Sequence, residues 1–195
     1  MTYTDEAIIR LRTAEEQKER MTHIDLSEEI LYGETYRFAP RQFFEDRLEL
    51  MIPEHFSPMP EKKIAEKYIT VSKPQVVLTN GDYTINITLS LLKGTLRDEQ
   101  VHSHLQTLQG AIREVYPATI FYDHRQLKPS EMPISYMDFK SFSLSGPIYN
   151  MMFVAAFAKQ TLLGTFNCSF DHWEQWQPVV IEVLKNIREV KEAQA

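Results

Sequence analysis

Hydrophobic and polar positions along the chain follow two periods, and the places where one period gives way to the other outline its elements. From Phe43 to Ile52 the residues nearly alternate, with Phe44, Leu48, Leu50 and Ile52 on one side, which predicts a strand that Pro53 ends. Pro58 and Pro60 punctuate the loop beyond it, and Pro60 suits the first turn of a short helix to Tyr68 in which Ile64, Ala65 and Tyr68 share a face. Val76-Val77-Leu78-Thr79 then runs into Asn80-Gly81, a pair that tolerates the positive φ angles of a type I′ turn, so a β-hairpin is predicted there. Its second strand alternates cleanly. Tyr83, Ile85, Ile87, Leu89 and Leu91 form a core face, and Thr84, Asn86, Thr88 and Ser90 form a face expected to be wet and to be the first surface a partner would use.

The period then lengthens. Val101, Leu105, Leu108, Ile112 and Val115 recur at spacings of three and four, one apolar stripe on a helix that begins near Arg97 and stops at Tyr116-Pro117. Strand-like runs return at Thr119 to Gln126, Ile134 to Leu144, Ile148 to Phe157 and Thr161 to Cys168. Tyr149 to Phe157 is apolar on both sides except at Asn150, as in a central strand covered on both faces. A last amphipathic helix carries Trp176, Val179, Val180, Val183, Leu184 and Ile187, with Pro178 early enough that its missing N–H does no harm. Residues 1–30 read as a polar arm or weak helix in which Leu26, Ile30 and Leu31 are the first anchored side chains, and residues 31–195 read as one domain. The predicted class is α+β: an antiparallel β-sheet packed against helices in an αβα sandwich.

Charge narrows the function. Lys and Arg number 21 against 27 Asp and Glu, and a net charge of −6 repels a phosphate backbone, so nucleic acid is not the expected partner. The N-terminal stretch has no apolar run beyond Ile8-Ile9, so neither a secretory signal nor membrane insertion is expected. The single cysteine, Cys168, lies in an apolar strand as inert core filling, and it excludes an internal disulfide framework; a cytoplasmic protein is expected.

No catalytic residue, metal ligand set or cofactor motif is predicted. His102 and His104 stand about 200° apart around a helix and do not chelate one ion. Neither a nucleophile elbow nor a phosphate-binding loop occurs. Asp171, between a strand and a helix, reads as a cap rather than as a partner activating His172. The densest polar group is Tyr122-Asp123-His124-Arg125 near a strand end, the candidate lining for a small-ligand or enzyme pocket between sheet and helix. Phe166, Phe170, Trp173 and Trp176 form an aromatic group at the last strand and helix, where Trp176 belongs to the core and Trp173 is the candidate contact residue.

Tyr149 to Phe157, the return Leu162-Leu163-Gly164-Thr165-Phe166-Asn167-Cys168, and a Trp followed by a helix ending near Ile187 together resemble the PsbP-like fold. Leu48-Glu49-Leu50-Met51-Ile52-Pro53-Glu54-His55-Phe56 is similar to that family's opening strand, so the resemblance spans Gln42 to Arg188. The family includes the photosystem II extrinsic subunit, the Ran-binding Mog proteins and bacterial DcrB-like proteins, among them chaperones of secretion effectors. The resemblance implies a non-enzymatic, protein-binding accessory module, adaptor or chaperone-like, and places no family binding residue on this chain. A pocket-bearing ligand binder or enzyme, and a homo-oligomer, are the alternative expectations.

Overall fold

Antiparallel pairing dominates the architecture, as the alternating segments predict. The computed structural model describes residues 24–68, 73–127 and 132–190, so most of the predicted N-terminal arm lies outside the described residues. In chain order the elements are β1 (Glu29–Leu31), β2 (Glu34–Tyr36), β3 (Phe38–Phe43), β4 (Leu48–Pro53), β5 (Ser57–Pro58), α1 (Glu61–Lys67), β6 (Val76–Thr79), β7 (Asn86–Leu92) and α2 (Val101–Val115). They continue with β8 (Ile120–Leu127), β9 (Ile134–Ser143), β10 (Gly146–Phe157), β11 (Gln160–Ser169), α3 (Trp173–Lys185) and β12 (Arg188–Glu189). Seven strands form the main sheet in the order β5-β6-β7-β11-β10-β9-β8, while β12-β4-β3 and β1-β2 form two smaller sheets.

β10 sits inside the sheet and is covered on both faces, as its two-sided apolar pattern predicts. Met151, Phe153 and Ala155 join Phe166, Leu162, Ile87 and Leu89 in a large core closed by α3, through Trp176, Val179, Val180, Val183 and Leu184, and by Leu48, Leu50 and Ile52 of β4. On the opposite face Val154, Met137 and Phe139 meet Val101 and Leu105 of α2 in a much smaller core. Gly164 faces Phe153 across the β10–β11 ladder, and a Cβ at Gly164 would overlap that ring, so a glycine is required for the ring to lie flat on the strand.

Several local expectations are corrected. The alternation from Phe43 to Ile52 runs through a turn: β3 ends at Phe43, and Phe44, Glu45 and Asp46 take positive φ values of 55°, 61° and 61° before β4 begins. Side-chain alternation carries no mark of such a reversal when no glycine sits in it. The hairpin at Asn80-Gly81 forms, but as a wider loop: the Asn80 N–H donates to the Ile85 carbonyl at 3.2 Å, and the residue with positive φ is Tyr83, not Gly81. Positive φ at both positions of a two-residue loop, which fits a type I′ turn, occurs instead at Tyr32-Gly33, between β1 and β2, and at Ala158-Lys159, between β10 and β11. The polar side of β7 is not wet, because Asn86 and Thr88 are buried and the Asn86 amide donates to the Asn167 side chain at 3.0 Å.

Helix α3 starts at Trp173, so Pro178 lies in its second turn and removes a donor from the Glu174 carbonyl. Neither the 3-10 turn Phe170–His172 nor α3 has a side-chain cap; Asp171 contributes its backbone carbonyl to the Tyr32 hydroxyl at 3.0 Å. Leu26 and Leu31 are anchored as expected, whereas Ile30 is exposed.

Candidate functional site

β8 is one of the two edge strands of the main sheet, and one irregularity decides where its polar residues go. Phe121 pairs with Phe139 and His124 with Met137, so two residues, Tyr122 and Asp123, stand opposite Asp138 alone. In a regular strand Phe121 and His124 would point to opposite faces. The extra residue turns both toward α2 and leaves Tyr122 on the α3 side.

Asp138 holds the bulge. It is fully buried, and its Oδ1 accepts the Asp123 N–H at 2.6 Å while Oδ2 accepts the Tyr149 hydroxyl at 3.0 Å and the Gln177 amide at 2.5 Å. One carboxylate therefore ties β8, β10 and α3 together. Burial pushes its proton affinity above the ordinary aspartate value, against the opposing effect of the three donors. Burial, followed by the field of Asp138, pushes the Tyr149 hydroxyl well up, and burial raises Tyr136 to about 12. Both carboxylate oxygens are engaged inside the protein, so Asp138 is built as a brace and not as a proton donor to a substrate.

The five sequence candidates divide accordingly. Tyr122 and Trp173 are brought together, nearly parallel at 7° with ring centroids 6.2 Å apart, beside Phe170 at 6.3 Å from Tyr122. Trp173 also lies 6.1 Å from Tyr149, and the Lys140 ammonium caps Phe170 at 4.0 Å. Asp123 and Arg125 pair with each other at 2.8 Å in an exposed ion pair. His124 leaves the group altogether and meets His102 of α2, ring centroids 4.5 Å apart. The quartet thus spreads over both faces and does not converge on one pocket.

A different concavity forms at the end of α2. Val101 and Leu105 are completely buried, Leu108 and Ile112 are partly covered, and Val115 is 65% exposed, so the apolar stripe continues after the helix has parted from the sheet. The gap is a groove of about 490 Å³. Ile112, Val115, Phe139 and Met152 line it, with Tyr116 and Phe142 at its rim, and the exposed Leu144 lies two residues beyond Phe142 in the β9–β10 turn. The sequence places Val115 on the same apolar stripe as Val101 and Leu105, because periodicity reports which residues share a face and not where the covering element ends.

With this geometry in hand, solved structures supply the relationship. The solution structure of cyanobacterial PsbP from Synechocystis superposes with a TM-score of 0.58 at 8% identity, over 78% of this chain and 92% of that one. The chain has the PsbP-like fold. The Ran-binding protein Mog1p of Saccharomyces cerevisiae matches with a TM-score of 0.51 at 10% identity, covering 80% of this chain and 97% of that one. LpqN of Mycobacterium tuberculosis, described as involved in cell envelope biogenesis, matches at 0.53 and 9% identity over 80% and 91% of the two chains. No family model and no curated protein matches the sequence. At these identities the likeness is one of fold. Among the described residues no helix is long and apolar enough to cross a membrane.

Proposed function

We propose that this chain is a non-enzymatic protein-binding accessory module, adaptor or chaperone-like in action, that receives an apolar segment of a partner protein in the groove at the C-terminal end of α2. The observation that carries this reading is the uncovered end of the α2 stripe: Val115, Tyr116, Phe142 and Leu144 present large apolar side chains around a concave apolar floor. The net charge of −6 favours a protein over a nucleic acid as the occupant. Mog1p, of the same fold, is described as Ran-binding, which supports protein recognition as a use of this architecture without naming the partner here. The lone buried thiol suits work in the cytoplasm. Tyr122 and Trp173 offer a smaller aromatic contact surface near the same end of the sheet.

The test is affinity purification of the tagged chain from its host, wild type beside Val115→Asp and Phe142→Ser, with Lys62→Ala on α1 as a surface control. A stoichiometric partner that is lost from the two groove variants and kept by the control supports the reading. A partner retained by all variants moves the binding surface elsewhere, and a homodimer by light scattering that Val115→Asp dissociates makes a second copy the occupant.

A further inference from the structure

His102 and His124 meet where α2 lies on β8, and each has a buried ring nitrogen without a hydrogen-bond partner: Nδ1 of His102 and Nε2 of His124. A neutral imidazole leaves one nitrogen as a bare acceptor, at modest cost. Once protonated, the same nitrogen becomes a charged donor that burial penalises far more unless an acceptor receives it.

The surroundings supply little that would receive it. On α2, the Gln106 amide lies 3.4 Å from His102 Nε2, which is the other ring nitrogen. On β9, Met137 stands opposite His124, and Met137 and Val154 of β10 belong to the small core beneath α2. Ser135 of β9 is buried with its hydroxyl unpartnered. Asp123 and Arg125 flank His124 but are committed to each other, and Glu99, in the turn before α2, pairs with Arg97 at 3.2 Å. Asp98 stands four residues before His102, the spacing at which acidic and basic side chains neighbour each other on a helix. No equivalent serves His124, whose proton affinity is lowered by burial first and by His102 second.

We propose that the His102–His124 contact is a proton-operated latch, holding the first turns of α2 on β8 at neutral pH and releasing them when both rings become charged in mild acid. Release is local because the core beneath α2 is small, formed by Leu96, Val101, Leu105, Met137, Phe139 and Val154, while the α3 side keeps its own larger core. α2 also walls the apolar groove, so partner binding weakens with the latch; that consequence, unlike the latch itself, rests on the groove reading above.

Amide hydrogen exchange on the full chain at about pH 7.5 and about pH 5, the range over which imidazoles change charge, tests it after correction for intrinsic rates. The α2 amides lose protection roughly tenfold more than those of β10 and β11. His102→Gln and His124→Gln each remove that excess. Parallel loss in α2, β10 and β11, or an excess that survives in both variants, overturns the latch. Should the variants fold poorly, imidazole NMR titration of the wild type decides: His124 titrating below ordinary histidine supports the proposal, and titration at the ordinary value overturns it. Partner capture that ignores Val115→Asp while α2 exchange still responds to acid refutes the groove alone.

Discussion

The two faces of the main sheet are closed to different degrees. Toward α3 the cover is extensive, leaving Tyr122 exposed at the β8 edge: Trp176 is buried between Tyr36, in an edge-on contact at 4.9 Å, and Phe166 at 5.2 Å, and β3 and β4 add to it. Toward α2 the cover is a single helix whose apolar stripe is buried at its start and exposed at its end, with a histidine pair at one flank. Stability therefore resides mainly on the α3 face. The α2 face, with little buried surface, is where a partner or a proton can act at small energetic cost to the fold.

Truncation experiments sharpen this contrast. Trp176→Ala removes a fully buried aromatic and is expected to cost about 3–5 kcal/mol by chemical denaturation. Leu108→Ala, at a partly covered position of α2, is expected to cost about 1 kcal/mol. Equal losses would mean that the two faces contribute alike.

Gly164→Ala comes next, at about 1–3 kcal/mol, because the added methyl overlaps the Phe153 ring in a packed core. Combining it with Phe153→Leu relieves the overlap, so the double variant is less destabilised than the sum of the two single changes.

Asp138→Ala strands the Asp123 N–H, the Tyr149 hydroxyl and the Gln177 amide, at about 1–3 kcal/mol for each orphan left buried. Asp138→Asn keeps an acceptor and loses less. The two perturbed groups oppose each other with pH. Asp138 binds its proton more tightly folded than unfolded, so its contribution is fully present below the ordinary value of 3.8 and is withdrawn as pH rises through the folded value. His124 binds its proton less tightly when folded. Its contribution is fully present above 6.5 and is withdrawn as pH falls toward the folded value. Between neutrality and about pH 5, where imidazoles change charge, denaturation midpoints of His124→Gln should fall less with acid than those of the wild type. A wild type with no acid sensitivity in that range would remove the distinction drawn for the α2 face.

The smallest expected effect on stability is the most informative for function. Val115→Asp changes unfolding free energy by no more than about 0.5 kcal/mol, since the side chain is already mostly in solvent, while abolishing partner capture. A large loss of stability would show that Val115 belongs to the core after all.

Much of the fold was legible because β7, β10, α2 and α3 each bury a face whose residues recur at the period of the element. The candidate site was far less so. Tyr122 and Trp173 were singled out separately, and nothing along the chain predicts that they stack. Asp138, a lone carboxylate inside the largely apolar stretch Ile134 to Phe139, is the mark in the sequence of the buried brace. Spacing along the chain relates His102 only to its helical neighbour His104, whereas its ring partner, His124, comes from another element.

The sequence by itself determined the order of the longer elements from β4 to α3, the two amphipathic helices, the two-sided central strand and the acidic, single-thiol character of the chain, since these follow from residue types at local spacing. Only the tertiary structure decided that His124 faces α2, because the bulge at Tyr122-Asp123 reverses strand parity and the Asp138 carboxylate that holds it comes from another strand. Tertiary structure likewise decided that the end of the α2 stripe stays open. The pattern states what a helix could bury, and only the placement of the sheet beneath it sets how much is covered.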